Sequence, residues 1–305
     1  SDNCSNDNIV NIPDANFKTY LVNNTSININ GDSEIQVYEA NNYRSSISIE
    51  DKNITDLTGI EAFINLKDLF CSKNKLTSLD LSQNINLSRL HCINNQLNEL
   101  DITNNTKLRE LFCYGNKYTS IDISNNLLLQ KLICGSSELF TSIDISNNTA
   151  LKEFSCQNSN VSTLDLSKNV NLTRVVISNN PITSIDVTSN TVLKELSFSN
   201  TNIANLNLSN NKELTELYCQ QTKLTSLDLS ANTKLEKVWC SYNALNNLNI
   251  NGLVNLNELF CHVNKLTSID ISSNINLSRL DCSSNLLSSL NITSNKLLTL
   301  SLIHI

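Results

Sequence analysis

The sequence lacks several features that other protein classes require. It has no methionine, two prolines and five glycines in 305 residues, and no apolar run approaches the eighteen or so residues that cross a bilayer. Its 22 lysines and arginines are spread among 29 acids, which gives a net charge of −7 and a pI near 5.0. A nucleic acid is therefore not an expected partner, because phosphate binding requires clustered cations, and we expect no transmembrane segment.

A repeat of 21 residues organises most of the chain. Cysteines stand at 71, 92, 113 and 134, and after one inserted residue near 135–139 the same step runs from Cys156 to Cys282. Ile177 and Phe198 occupy the cysteine position in two units, and Leu302 does so in a shortened last unit. One unit, from Leu66 to Asn84, reads L-x-x-L-x-C-x-x-N-x-L-x-x-L-D-L-x-x-N. The second half of the unit therefore repeats the spacing of the first half.

This pattern predicts a stack of coils. Leu69 and Cys71 alternate with outward residues, as do Leu79 and Leu81, so each coil should supply two short parallel strands. A single coil cannot bury its leucines, whereas coils stacked at ~4.8 Å share one core. The units resemble leucine-rich repeats, and their nested halves resemble the bacterial 21-residue double-motif class called IRREKO. The resemblance implies a repeat solenoid in a secreted or cell-surface bacterial protein that contacts host or neighbouring-cell proteins.

The ends of the chain depart from the repeat. We expect a polar leader over residues 1–8, an N-terminal cap over residues 9–44 and a leucine-rich-repeat solenoid of about 12 coils over residues 45–305, without a C-terminal cap. Pro13 and Asp14 favour a short cap helix with Phe17, Tyr20 and Leu21 on its apolar side. Such a cap would cover the first coil of the solenoid.

The cap also contains a candidate calcium loop. Residues 28–39 have the twelve-position layout of an EF-hand loop, although an asparagine and a serine replace the usual first aspartate and central glycine. The candidate ligands are Asn28, Asn30, Asp32, Glu34 and Glu39. The alternative is a metal-free capping turn of the same shape. No other cofactor is expected.

The cysteines of the repeat are interpreted as core residues, because isoleucine, phenylalanine and leucine replace them in three units. Cys4 lies outside the repeats. It is either an ordinary exposed cysteine or a lipid-anchor site like that of exported bacterial lipoproteins. Asparagines that follow each half-unit, such as Asn95 and Asn105, should point inward and satisfy both donors and acceptors of the backbone.

Two outward columns carry charge. The first alternates in sign, as in Asp68, Arg89 and Glu110, which favours strand register more than stability. The second is rich in aspartate, as at Asp80 and Asp101. Nearby hydroxyls and turn amides should hold these carboxylates, and the alternative is a ladder of cation sites.

An outward column of rings supplies the candidate binding site. Two clusters precede or follow the cysteines of the repeat: Phe70, His91, Phe112 and Tyr114, and then Tyr218, Trp239, Tyr242, Phe260 and His262. Five of the aromatic residues, including the only tryptophan, fall in the one column directly before the cysteine. Exposed rings are typical of binding hot spots. The alternative is that aromatics favour strands and pair across neighbouring rows.

These observations predict a protein-binding module and not an enzyme. The three histidines are far apart along the repeat axis and no nucleophile has a base fixed beside it. We expect an adhesion or host-protein interaction module that binds through a concave aromatic face, located at the bacterial surface or secreted. The alternative is a structural spacer or assembly module that associates through an open C-terminal edge.

Overall fold

A computed structural model of the chain describes residues 8–302, and they fall into two compact units divided between Ala150 and Leu151. The side chains of residues 300–302 are outside the description. Cys4 and His304 also lie outside the described residues, so the lipid-anchor hypothesis has no structural counterpart here.

Unit 1 begins with the predicted helical cap. Helix α1 spans Ala15–Val22 and helix α2 spans Val37–Asn42. The Asp14 carboxylate caps α1 by accepting the backbone N–H groups of Asn16 and Phe17 at 2.9 and 3.0 Å. The other carboxylate oxygen of Asp14 accepts the Thr55 N–H at 2.8 Å, which fastens the helix to the first coil. Phe17 and Leu21 are buried, as the sequence predicts.

In unit 1, the first half of each coil forms a short strand of one parallel sheet. The strands are β1 (Ser46–Ser48), β2 (Asp68–Phe70), β3 (Arg89–His91), β4 (Glu110–Phe112) and β5 (Lys131–Gly135), and a short 3-10 helix spans Ile60–Ala62. They pair in parallel, and from β2 onward each residue lies beside the residue 21 positions later, so that Leu69 faces Leu90 and Leu90 faces Leu111. The sequence period is therefore the register of the sheet.

Unit 2 continues with the same rule. Its main sheet contains β6 (Glu153–Gln157), β7 (Arg174–Val176), β8 (Glu195–Ser197), β9 (Glu216–Tyr218), β11 (Lys237–Trp239), β13 (Glu258–Phe260), β14 (Arg279–Asp281) and β15 (Leu300–Leu302). A second, two-stranded parallel sheet contains β10 (Ser226–Asp228) and β12 (Asn247–Asn249). The protein is a parallel-sheet solenoid of about 11 coils, one fewer than the sequence count.

The expectation of two strands in every coil needs a correction. Among residues 8–302, the second half-unit forms a strand ladder only at β10 and β12. In the other coils, carbonyl groups of the second half-unit accept hydrogen bonds from turn N–H groups and from asparagine side chains of the next coil instead of from a neighbouring strand. The Leu81 carbonyl, for example, accepts the Asn84 N–H at 3.0 Å and the Asn105 side-chain amide at 3.1 Å.

The core consists of the inward columns that the repeat predicts. Leu69, Leu90 and Leu111 in unit 1 have no exposed surface, and Leu196, Leu217 and Leu259 in unit 2 have none either. Each buried leucine contributes about 1.5–3 kcal/mol. The nine cysteines of the repeat are buried thiols, and Ile177 and Phe198 are buried in the same position. Their interpretation as small core residues is confirmed, although Leu302 pairs with Asp281 and so does not take the cysteine position in the last coil as expected.

The two asparagine columns differ from each other, which the sequence does not predict. In the first column Asn95 accepts the Leu76 N–H at 3.1 Å and donates to the carbonyls of Cys71 and Cys92. In the second column Asn105 donates to two carbonyls, but its side-chain oxygen is buried and accepts no hydrogen bond among the described residues. The expectation that both columns satisfy donors and acceptors alike is wrong for the second.

Candidate protein-interaction face

The predicted ring residues form two stacks on the outward side of the sheets. Because neighbours in a strand point to opposite faces, the residue between an inward leucine and an inward cysteine points outward. We call Phe70, His91 and Phe112 the unit-1 ring stack, and Tyr218, Trp239 and Phe260 the unit-2 ring stack. All six side chains are half-buried. Each stack spans three neighbouring coils.

The unit-1 ring stack is closely packed. The His91 ring lies 4.7 Å from the Phe70 ring centroid and 4.3 Å from that of Phe112, with which it is nearly parallel at 12°. The Arg89 guanidinium lies over the Phe70 ring at 5.1 Å from its centroid. His91 Nε2 lies 2.7 Å from a Glu110 carboxylate oxygen. These contacts fix the orientation of the middle ring.

The unit-2 ring stack repeats this arrangement with larger rings. Trp239 lies 5.0 Å from Tyr218 edge to face and 5.4 Å from Phe260, to which it is tilted by 28°. The Arg279 guanidinium lies 5.1 Å from the Phe260 centroid. The Trp239 indole N–H donates to the Glu258 carboxylate. The middle ring again has two ring neighbours and one carboxylate partner.

Two glutamates hold the middle rings and were not among the site residues expected from the sequence. Glu110 and Glu258 each lie 19 residues after the middle ring that they hold, at the start of a Glu-Leu-Phe strand. From the sequence, this charge column is expected to set strand register and to offer salt-sensitive contacts to a partner, and a contact to a ring is not expected. The recurring Glu-Leu-Phe after a coil with an outward His or Trp is the signal that could have found them.

A third acid holds the remaining polar ring. The Tyr218 hydroxyl donates to Glu216 at 2.6 Å, and Lys237 pairs with the other oxygen of the same carboxylate at 2.9 Å. The Tyr218 hydrogen bond and the neighbouring lysine hold the pKa of Glu216 below its ordinary value. Partial burial and Glu216 raise the pKa of Tyr218. The phenol therefore stays neutral and acts as a donor at physiological pH.

The other predicted ring residues lie beside the stacks. His262 Nδ1 lies 2.9 Å from the Ser241 hydroxyl and 3.1 Å from Asp281, and its ring meets the Tyr242 ring edge at 5.1 Å. Tyr242 is 51% exposed. Tyr114 is half-buried and has no ring partner among the described residues, so the structure does not join it to the unit-1 ring stack.

Tyr242 also belongs to a column of left-handed backbone. One residue per coil, two positions after the cysteine, has φ near +55°, and most coils place there asparagine, serine, glutamine, lysine or glycine. Unit 2 instead has Tyr242 at φ 57° and Val263 at φ 54° in neighbouring coils. A β-branched residue in this conformation is strained. Both residues are exposed next to the unit-2 ring stack.

The outward aspartates are held as the hydroxyl interpretation expects. The Asp101 carboxylate accepts the Thr103 hydroxyl at 2.7 Å and the Thr103 N–H at 3.0 Å. These bonds hold the pKa of the Asp101 carboxyl below its usual value. Between residues 8 and 302, no group of three or more His, Cys, Asp or Glu side chains is placed to hold a metal ion.

The oxygen atoms of the candidate calcium loop that would bind a metal already accept hydrogen bonds within the protein. Glu39 is buried, and its carboxylate accepts three backbone N–H groups: Ile29 at 2.9 Å, Asn30 at 3.1 Å and Gln36 at 3.0 Å. A bidentate calcium ligand at this position would have to give up those bonds.

The other candidate ligand residues of the loop also make hydrogen bonds or ion pairs within the protein. Asn28 donates to the Asp32 carbonyl at 2.7 Å, Asp32 accepts the Asn30 amide at 3.0 Å, and Glu34 pairs with Lys18 at 2.7 Å. The arrangement is a hydrogen-bonded turn that leads into α2. Calcium binding by this loop stays a prediction.

Comparison with known proteins gives matches among solved structures. No family model and no curated protein sequence matches the chain. The functional domain of InlJ from Listeria monocytogenes superposes with a TM-score of 0.88 at 36% identity, over 94% of this chain and 63% of that one. The internalin InlF from the same organism gives 0.77 at 22% identity, over 95% of each chain. The fold is a leucine-rich-repeat solenoid.

This leucine-rich-repeat solenoid is thus similar to internalin-type repeat proteins. It spans less than two thirds of the InlJ chain. The InlJ structure is described as including a cysteine ladder, and the column of buried thiols here is similar in kind. A more distant match is the Toll–Spatzle complex of Drosophila, with a TM-score of 0.65 at 16% identity over 83% of this chain and 39% of that one.

Among residues 8–302, no helix is long and apolar enough to cross a membrane.

Proposed function

We propose that this leucine-rich-repeat solenoid binds another protein through its outward ring stacks. The observation that carries the proposal is that both stacks present rings held in place by carboxylates and arginines. An exposed ring that is already fixed loses little side-chain entropy when it is covered, so more of its burial becomes affinity. Repeat solenoids in general present such extended surfaces to protein partners.

The backbone strain at Val263 supports the same surface. Its coil position accepts asparagine without strain, as at Asn179 and Asn200, yet the sequence places an exposed valine there beside Tyr242. Strained residues tend to occur at functional sites. Together with the unit-2 ring stack, these two side chains form an apolar area that a binding partner would cover.

The proposed biological setting follows from the resemblance to bacterial repeats. We infer a secreted or cell-surface bacterial protein, with Cys4 as a candidate lipid anchor, that takes part in adhesion or contact with a host protein. The similarity to InlJ and InlF of Listeria monocytogenes supports this setting. The Toll–Spatzle complex supports a protein as the ligand class of such a solenoid.

The test compares two ring substitutions with a matched control. We expect the double variant Trp239→Ala/Tyr218→Ala to weaken binding of the partner by about 2 kcal/mol or more, because a single hot-spot ring contributes about this much to the binding free energy. Tyr38→Ala removes a ring from α2 that is 46% exposed and therefore more exposed than the two stack rings. It should leave the affinity unchanged.

The experiment passes host serum or cell extract over each immobilised protein and quantifies the retained proteins by mass spectrometry. A true partner is retained by the wild type and by Tyr38→Ala and is lost by the double variant. The purified partner is then titrated against all three proteins by isothermal titration calorimetry, which does not depend on the single tryptophan that the double variant loses. Equal affinity for all three proteins would refute the proposal, provided that circular dichroism shows all three to be folded.

A further inference from the structure

A second surface of unit 1 concentrates positive charge in this acidic protein. Arg44, Lys67, Lys107 and Arg109 line one groove of about 640 Å³, which we call the cationic groove. The other residues that line it are Asn65, Asn86, Ser88 and Leu128, so no acidic side chain lines it. Stacking of the coils thus brings together cations that lie far apart in the sequence.

The cations in the groove make no ion pair among residues 8–302. Arg44, Lys67 and Arg109 are exposed and form no ion pair within the described residues, and Lys107 contacts only the Asn86 amide oxygen, at 2.6 Å. Asp68 follows Lys67 in the chain, but its carboxylate is occupied by Arg89 at 2.8 Å and by the Ser46 hydroxyl. Like charges that line one groove repel each other, and a bound anion would relieve that repulsion.

The equivalent edge of unit 2 behaves differently. At the coil position of Lys107, unit 2 has Glu213 and Lys234 in adjacent coils, and these two form an ion pair at 2.6 Å. At the position of Lys67 and Arg109, unit 2 has Lys152 and Lys194. The repeat template therefore permits neutralisation along this edge, and of these two edges within residues 8–302 the unit-1 edge is the one that combines four cations.

We propose that the cationic groove binds an anionic polysaccharide. Its cations lie on coils that are ~5 Å apart, so that they extend over several coils and match a chain with repeated sulfate or carboxylate groups better than a single small anion. The Ser88 hydroxyl lies on the coil between those of Lys67 and Arg109 and suits a hydroxyl of a sugar chain, while the amides of Asn65 and Asn86 are held by hydrogen bonds within the groove wall. A single-stranded nucleic acid fits less well, because none of the side chains that line the groove is an aromatic ring on which a base could stack.

The test uses the full chain and surface-immobilised probes. Heparin represents a sulfated polysaccharide, polygalacturonate a carboxylated one, and dextran a neutral one. We expect heparin or polygalacturonate to bind with an affinity that falls as salt rises, and dextran not to bind. Which of the two acidic chains binds more tightly identifies the acidic group, and either result supports the proposal.

Two charge variants make the test specific. Lys67→Gln/Arg109→Gln should weaken binding roughly ten-fold or more and lower the slope of log affinity against log salt by about 2, one for each lost contact. Lys152→Gln/Lys194→Gln removes the same charge from the same coil position in unit 2. It should leave affinity and slope nearly unchanged.

A measurement on the wild-type protein guards against misfolded variants. Saturating heparin or polygalacturonate should protect Lys67 and Lys107 from amine acetylation, read by mass spectrometry, while Lys152 and Lys194 stay reactive. The proposal is overturned if neither acidic polysaccharide binds, if dextran binds equally, or if both double variants lose affinity alike. It is also overturned if single-stranded DNA or phosphatidylserine vesicles bind the groove as tightly as the better polysaccharide.

Discussion

The two asparagine columns should differ in what they contribute to stability, although their residue type and burial are nearly the same. Asn95, in the first column, makes four hydrogen bonds: it accepts the Leu76 N–H, donates to two cysteine carbonyls and donates more weakly to the Ile93 carbonyl at 3.4 Å. Each of the two cysteine carbonyls also accepts from a neighbouring asparagine of the same column. Asn95→Ala would therefore leave the Leu76 N–H without a partner but would leave both carbonyls with one.

Asn105, in the second column, presents the opposite case. It donates to the carbonyls of Leu81 and Asn84, each of which also accepts a backbone N–H. Its own side-chain oxygen is buried without a hydrogen bond among the described residues. Asn105→Ala would remove two bonds and would also remove that unsatisfied oxygen, so the two effects offset each other.

The free energies follow from these counts. A buried group left unsatisfied costs about 1–3 kcal/mol, and each lost hydrogen bond costs about 0.5–1.5 kcal/mol. Asn95→Ala should therefore destabilise the fold by about 4 kcal/mol, and Asn105→Ala by about 1 kcal/mol or less before the cavity is counted. The cavity is the same in both variants and cancels. The expected difference in unfolding free energy is about 3 kcal/mol.

The assay is urea unfolding followed by far-UV circular dichroism, with the slope m compared between variants because solenoids can unfold in parts. Asn104→Ala, an exposed neighbour whose amide makes one 3.3 Å bond, serves as the control and should change stability by no more than about 0.5 kcal/mol. Equal shifts of the urea midpoint for Asn95→Ala and Asn105→Ala, or a larger shift for Asn105→Ala, would refute the reasoning.

Two further predictions concern pH and backbone strain. Burial raises the pKa of the Cys71 thiol from 9.0 to about 12 and that of Cys282 to about 11. The stabilising effect of these protonated thiols is complete below pH 9 and is lost as pH rises through that value toward 11 or 12. Urea midpoints under reducing conditions should therefore fall steadily from pH 8 to pH 10.5, and they should fall less steeply in Cys71→Ala. Midpoints independent of pH would contradict this. Val263→Asn should raise the unfolding free energy by about 1 kcal/mol because asparagine tolerates the left-handed backbone, whereas Asn200→Val at the same coil position should lower it; if both substitutions act in the same direction, strain is not the cause.

Much of the fold could be predicted from spacing alone. A side chain that recurs every 21 residues can be buried only if successive coils stack. The spacing alone therefore predicts the register that pairs Leu69 with Leu90. The Asp14 cap was readable for a similar reason, since it acts on N–H groups two and three residues away. The outward position of Trp239 follows from the alternation of side chains along a strand.

Other features depend on contacts between coils that spacing does not encode. The second half-unit has the strand pattern in every coil, yet it forms a ladder only at β10 and β12, because competing turn and side-chain bonds decide the outcome. The exclusion of Tyr114 from its ring stack and the inclusion of Glu110 and Glu258 depend on side-chain rotamers. A sequence pattern does not specify these rotamers.

The sequence by itself determined that this protein is a stack of coils, which columns are buried and which side of the sheet carries the rings, because all three follow from periodicity and burial. Only the tertiary structure decided how the rings are held, that the Asn105 side-chain oxygen accepts no hydrogen bond among residues 8–302, and that four dispersed cations share one groove. These features arise when side chains from different coils meet, and their energies depend on distances of a few ångströms between groups that lie about 21 residues or more apart in the chain.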